Sequence, residues 1–208
     1  QADSSNWGTV VSELQQHLIY GHVCLAALEK LRAVLVHRPN GRTRNEVFVD
    51  VVSIPNIAEL LLDSMEHHAV TASIQVQGSL LLIKIAQVGN RIVASPLPSA
   101  RSLQVLFSAL ERFPQNIKVQ HAAFSVMFPA QQTLAREDHG DDSATTNVLF
   151  YSNLFTTNAL YISLAALERH PTDYHIVLGA LFVLYQAGSP GSFHQVPTTN
   201  RSTELLFE

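Results

Sequence analysis

Residues 111–124 read Glu-Arg-Phe-Pro-Gln-Asn-Ile-Lys-Val-Gln-His-Ala-Ala-Phe, and this stretch decides how the chain is interpreted. It opens at the end of a run whose apolar residues recur at three- and four-residue spacing, which indicates one face of a helix. Pro114 ends that run, and Asn116 is placed to cap a second one. The stretch therefore predicts two helices joined by a short turn. The apolar residues of the first helix are Leu106, Ala109, Leu110 and Phe113.

A similar pattern occurs four times along the chain. Each block has a valine, a small residue three positions later and a large apolar residue five positions later, and successive valines are 53, 43 and 58 residues apart. A single helical hairpin cannot cover its own apolar faces, so repeated hairpins stack and share one core. The small residue lets the next hairpin approach closely, and the large one fills the groove beside it. The valines are Val23, Val76, Val119 and Val177, the small residues Ala26, Ser79, Ala122 and Ala180, and the large residues Leu28, Leu81, Phe124 and Phe182.

Turn residues between the periodic runs divide the chain into four units. We place these units at 4–41, 43–90, 98–136 and 146–188, within a single repeat domain that covers the whole chain. Residues 189–208 are then a tail or the start of a further unit. Because the sequence begins at Gln1 rather than a methionine, we also expect it to be a piece of a longer protein, or a protein trimmed at its start.

Local signals refine this division. Thr43 and Glu46 have the spacing of a capping box, so we predict a helix rather than a strand for residues 47–51. Asp173 follows Pro171 as a candidate N-cap. The acidic segment Glu137–Asp142 is predicted to be a solvated loop. In the fourth unit, one helix face is predicted to carry Leu160, Leu164 and Leu167.

The stretch 111–124 resembles the segment that joins the second and third helices of an armadillo repeat, with its Pro/Asn turn, its Val-Gln pair and a following small residue. Residues 155–185 are a second, looser match, and the first two blocks resemble HEAT units equally well. The resemblance implies an all-α protein, a right-handed α-solenoid of armadillo/HEAT-like helical repeats. An ordinary helical bundle is the alternative.

The resemblance implies a specific pattern for peptide binding. Armadillo proteins that bind extended peptides carry a Trp about six residues after the valine of each block, and an Asn about ten residues after that valine. In this register Glu29, Leu82, Ser125 and Val183 take the first position, and Ala33, Ala86, Pro129 and Ala187 the second. Moving the register back by one places Leu28, Leu81, Phe124 and Phe182 at the first position, and Arg32, Ile85, Phe128 and Gln186 at the second. Alanine and proline side chains cannot bond an extended peptide backbone, so import-adaptor-type binding is disfavoured.

The remaining expectation is a mostly apolar, concave ridge on the solenoid that takes a partner helix or folded domain. This makes the chain a non-catalytic scaffold for protein–protein interaction. The alternative is an obligate structural or dimerisation subunit of a larger assembly, in which the apolar tail 205–207 is covered by a neighbour. An enzyme with an unrecognised site is a remote third reading. The ridge is predicted to run through Glu29, Arg32, Leu82, Ser125, Val183 and Gln186.

Composition limits the remaining possibilities. Hydrophobic residues make up 47% and charged residues 14%, with a formal net charge of −4, so no nucleic-acid partner is expected. The single cysteine, Cys24, cannot form an internal disulfide and favours a reducing, cytoplasmic location, where we expect it to be buried and inert. The apolar run 80–83 is too short to insert into a membrane.

The ten histidines raise a metal hypothesis that their spacing does not support. His67 and His68 are adjacent, and the other close pairs, 17/22 and 170/175, are five apart rather than the four that places two ligands on one helix face. The acidic segment lacks EF-hand spacing. We therefore predict surface and interface histidines, no metal and no cofactor.

Overall fold

The computed structural model describes residues 6–36, 54, 56–92, 99–134 and 158–188. Every regular element in these ranges is a helix, which confirms the all-α class. The predicted helix at 47–51, the acidic segment and residues 189–208 lie outside the described residues. The helices are α1 Asn6–Gln16, α2 Gly21–Val36, α3 Ile57–His67, α4 Ala72–Ile92, α5 Ala100–Arg112, α6 Ile117–Leu134, α7 Ala159–Arg169 and α8 Tyr174–Gly188.

Consecutive helices pair into four hairpins, which we number 1 to 4: α1–α2, α3–α4, α5–α6 and α7–α8. The hairpins contact one another in chain order. The first helices form one layer, in which α1 packs on α3, α3 on α5 and α5 on α7, and the second helices form layer 2, in which α2 packs on α4, α4 on α6 and α6 on α8. One hydrophobic core runs through all four hairpins.

The hydrogen bonds that start the second helices fix how the hairpins align. The first helical bond is accepted by the carbonyl of Tyr20, Thr71, Asn116 or Asp173. Aligned on these four residues, the chain repeats after 51, 45 and 57 residues. The valine register predicted from the sequence is therefore two residues too late in hairpin 2 and one too late in hairpin 4. An isoleucine replaces the valine in those hairpins, and the true set is Val23, Ile74, Val119 and Ile176.

Small residues do line the second helices, as predicted, but one position later in hairpins 1 and 3 and one position earlier in hairpin 2. The predicted Ala26 is exposed, whereas its neighbour Ala27 is buried. A Cβ on Gly78 would lie 2.6 Å from the Met65 side chain, so α3 and α4 approach closely at this point. The large residues Leu28, Leu81, Phe124 and Phe182 are all buried, as the pattern predicted. The buried small residues in the structural register are Ala27, Gly78, Ala123 and Ala180.

Both predicted N-caps are confirmed. The Asn116 side-chain oxygen accepts a hydrogen bond from the backbone of Val119 at 3.3 Å. Asp173 accepts from the backbone N–H groups of His175 and Ile176, both at 3.1 Å. These bonds satisfy N–H groups that the first helical turn leaves without a partner.

Two buried glutamines close the hairpins in an equivalent way. The Gln75 amide donates to the carbonyls of Met65 and His68, at 2.7 and 3.0 Å, where α3 ends. Gln120 does the same at the end of α5, donating to Leu110 and Phe113 at 2.8 and 3.1 Å. Each glutamine thus satisfies one carbonyl that the helix end leaves without a backbone donor, that of Met65 or Leu110. Its second acceptor, the carbonyl of His68 or Phe113, also receives a backbone N–H from Thr71 or Asn116.

Two histidines connect one hairpin to the one before it. His68, at the end of α3, contacts the Leu18 carbonyl of hairpin 1 through Nε2 at 2.7 Å. His170 has the equivalent place in hairpin 4 and contacts the Pro114 carbonyl of hairpin 3 at 2.9 Å. A carbonyl only accepts, so both rings must carry a proton on Nε2. The prediction of interface histidines is confirmed for these two residues.

Candidate interaction surface

The six residues of the predicted ridge lie in different environments. Glu29 and Arg32 on α2 are exposed, and Ser125 on α6 is half-buried. Leu82 and Val183 are 0% exposed and Gln186 is 5% exposed, so these three side chains are packed inside the stack.

The corrected register explains why the six residues differ in exposure. In hairpins 2 and 4 the equivalents of Glu29 and Ser125 are Leu80 and Phe182 rather than Leu82 and Val183. Leu80 is half-buried and Phe182 is 9% exposed. A slip of one or two residues along a helix turns a side chain by about 100° to 200°, which is enough to exchange an outer position for a buried one.

The structure instead brings together a surface that crosses all four second helices. One row of side chains, four residues before the position of Glu29, is half-buried in every hairpin. Next to it lie Glu29, Leu80 and Ser125, from exposed to half-buried. We call these seven residues the layer-2 surface, and its first row is Leu25, Val76, His121 and Leu178.

Polar contacts tie neighbouring helices together beside this surface. The Arg32 guanidinium on α2 donates to the Gln77 side chain on α4 at 3.0 Å. The imidazole rings of His121 on α6 and His175 on α8 lie 4.4 Å apart, and Tyr174 packs edge-on against His175 at 5.5 Å. The layer-2 surface and the groups beside it therefore combine apolar side chains with a guanidinium, a carboxylate and two imidazoles. Neither histidine was predicted as part of an interaction surface, because neither lies at a position that the sequence repeat singles out.

The Trp–Asn pattern of peptide-binding armadillo proteins falls on partly different residues under the corrected register. Its second position is now taken by Ala33, Lys84, Pro129 and Gln186. No Trp–Asn pair arises, because the first position holds Glu29, Leu80, Ser125 and Phe182.

The described residues contain few features that would support catalysis or metal binding. No group of three or more histidine, cysteine or acidic side chains that could hold a metal ion occurs in them. A cavity of about 210 Å³ between α3, α4 and α5 is smaller than the ~300–1,000 Å³ typical of ligand sites. Burial raises the pKa of the Cys24 thiol, against a weaker opposing hydrogen bond with Ser64, so the neutral and unreactive form is favoured.

A search of family models, curated proteins and solved structures finds no match to this chain. Among the described helices, none combines the length and the apolar character needed to cross a membrane.

Proposed function

We propose that this chain is a non-catalytic protein–protein interaction module built as an armadillo/HEAT-like α-solenoid, and that it binds an amphipathic helix of a partner protein on the layer-2 surface. The observation that carries the proposal is the row Leu25, Val76, His121 and Leu178, which continues across all four hairpins. A solenoid that repeats one half-buried position presents a linear apolar stripe. An amphipathic helix has a stripe of the same kind, so the two shapes fit.

The charges around the row add selectivity. Glu29 and Arg32 are exposed at the hairpin 1 end, and His121 and His175 lie towards hairpin 4. Such groups contribute mainly to the orientation and association rate of a partner, whereas apolar contacts supply most of the affinity. The partner helix therefore places complementary charges at the hairpin 1 end.

The test is affinity capture with this chain followed by mass spectrometry, and then direct binding of the recovered partner to surface variants. Ser125→Glu places a charge on the layer-2 surface beside the apolar row, and Glu29→Lys reverses a charge at the hairpin 1 end of that surface. Ser108→Glu and Glu111→Lys are matched controls, because both residues are exposed on α5 in the other layer.

We expect the two layer-2 variants to weaken binding at least tenfold while both controls bind like the wild type. Circular dichroism on all four proteins checks that the helices are intact. Equal binding by Ser125→Glu and the wild type would exclude the layer-2 surface as the binding site.

A further inference from the structure

The outer face of hairpin 4 carries apolar side chains that the other hairpins bury. Leu164 on α7 is 52% exposed and Leu181 on α8 is 51% exposed. Leu160 is also exposed, and Leu167 and Leu184 are half-buried beside them. We call these five leucines the end face. The prediction that Leu160, Leu164 and Leu167 share one helix face holds, with two of the three turned to solvent.

In the preceding hairpins, the residues equivalent to Leu164 and Leu181 are buried. The equivalents of Leu164 are buried in all three preceding hairpins, as Val11, Leu62 and Phe107. The equivalents of Leu181 are buried too, as Leu28, Ser79 and Phe124. In the last case the contact is direct, because a Cβ on Gly179 of hairpin 4 would lie 2.5 Å from Phe124 Cβ. The end face therefore continues a series of hairpin-to-hairpin interfaces.

The opposite end of the stack is built differently. Glu13 takes a place held by the buried, uncharged residues Ser64, Ala109 and Ala166 in the other hairpins. Lys30 takes a place held by Leu81, Val126 and Val183. The two charged groups lie 3.7 Å apart, with the Lys30 side chain largely exposed and the Glu13 side chain half-exposed. A polar outer face of this kind closes a helical stack to further packing.

From these two ends we propose that the end face binds a second copy of this chain, hairpin 4 against hairpin 4, in a closed two-fold dimer. Head-to-tail association would bury the Glu13–Lys30 pair against leucines, which the desolvation of both charges opposes. Two end faces meeting each other bury only leucines and their neighbours. The same patch then serves both copies, so assembly stops at two.

The experiment is sedimentation equilibrium of the chain across about 1–200 µM, a range that spans common dimer affinities. We expect a monomer–dimer equilibrium with no larger species. Leu164→Glu and Leu181→Glu should each raise the dimer dissociation constant at least tenfold. Val70→Glu is the matched control, because Val70 is 73% exposed in the turn between α3 and α4, away from the end face.

Leu164 and Leu181 are both more than half exposed, so their replacement leaves the monomer folded. Thermal unfolding of each variant checks this. A Leu181→Cys variant adds a positional test, since a two-fold axis at this face brings the two introduced thiols together for oxidation to a disulfide-linked dimer. A wild type that stays monomeric over the whole range overturns the proposal. So does a dimer that both glutamate variants leave intact, or growth beyond the dimer.

Discussion

Individual residues identify the equivalent positions of the hairpins more firmly than the apolar pattern does. Gln75 and Gln120 each reach back to two carbonyls at the end of the preceding helix, and this pair of bonds identifies equivalent positions without ambiguity. Asn56 and Asn158 add a second marker. Both have positive φ, 61° and 54°, directly before α3 and α7, a conformation that asparagine tolerates better than most residues. They are spaced as the structural register requires.

The register makes Val177 the equivalent of Gln120 in hairpin 4. Val177→Gln should add hydrogen bonds to the carbonyls of Leu167 and His170, where α7 ends, and raise the free energy of unfolding by about 1 kcal/mol. Urea denaturation measures the change. A loss of stability, or none, would contradict the alignment of the two helices.

Removing the glutamine from hairpin 3 tests the same hydrogen bonds in the opposite direction. Gln120→Leu removes the amide and leaves the buried Leu110 carbonyl without a donor, while the Phe113 carbonyl keeps its bond from the backbone N–H of Asn116. This should lower the free energy of unfolding by about 1–3 kcal/mol. Gln15→Leu, at an exposed position of α1, should change stability by less than about 0.5 kcal/mol.

Two glycines should respond to alanine with opposite signs. Gly179→Ala places a Cβ 2.5 Å from Phe124 Cβ, and such overpacking costs about 1–3 kcal/mol. Gly8 lies in α1 with no atom within 4 Å of an added Cβ, so Gly8→Ala should gain up to about 1 kcal/mol from helix propensity. Differential scanning calorimetry of both variants tests the pair. Equal effects would show that hairpins 3 and 4 do not approach closely at Gly179.

Sequence reasoning at this scale succeeded where a residue acts on its own neighbours. Asn116 and Asp173 cap helices through local hydrogen bonds, and their role could be predicted because each follows a proline by two residues. The six residues of the predicted ridge do not form one surface, because their positions were counted from the valine of each block. Choosing valine as the anchor excluded Ile74 and Ile176, although the two side chains fill the same space.

At the scale of the helix, α3 and α5 are joined by one arginine and three carboxylates. Glu59, Asp63 and Glu66 follow one another along α3, and Arg101 on α5 donates hydrogen bonds to all three. These bonds, chiefly that with Glu66, raise the pKa of the guanidinium. The cluster was not visible in the sequence, because nothing local predicts that Arg101 lies over α3.

Arg101→Ala should lower the free energy of unfolding by about 1 kcal/mol at low salt, since the groups are partly exposed. The three carboxylates left along one face of α3 also repel one another. At about 1 M salt the Debye length falls to about 3 Å, so the loss should shrink. Urea unfolding at both salt concentrations measures it, with Arg112→Ala at the end of the same helix as a control. A loss that salt does not change would show that the arginine acts through packing instead.

For the whole molecule, the all-α class followed from spacing alone, because amphipathic runs separated by proline and asparagine have few other outcomes. The stacking order did not follow in the same way. It depends on contacts between residues that are far apart in the chain, such as His170 with Pro114. A linear stack of four hairpins differs from an ordinary helical bundle in how far its two ends lie apart.

The most direct test measures distances between equivalent turn positions. Ile19, Val70, Gln115 and Thr172 occupy the same exposed place in hairpins 1 to 4. Cysteines introduced at 19 and 115, or at 19 and 172, in a Cys24→Ala background, carry spin labels for pulsed electron resonance. The labelled protein is diluted with unlabelled chain.

Packed helices lie about 8–10 Å apart, so a linear stack predicts a separation of about 20 Å for 19 to 115 and about 30 Å for 19 to 172, before the length of the labels. We therefore expect the 19–172 distance to exceed the 19–115 distance by about one helix spacing. A 19–172 distance equal to or shorter than the 19–115 distance would contradict the stack and indicate a closed bundle.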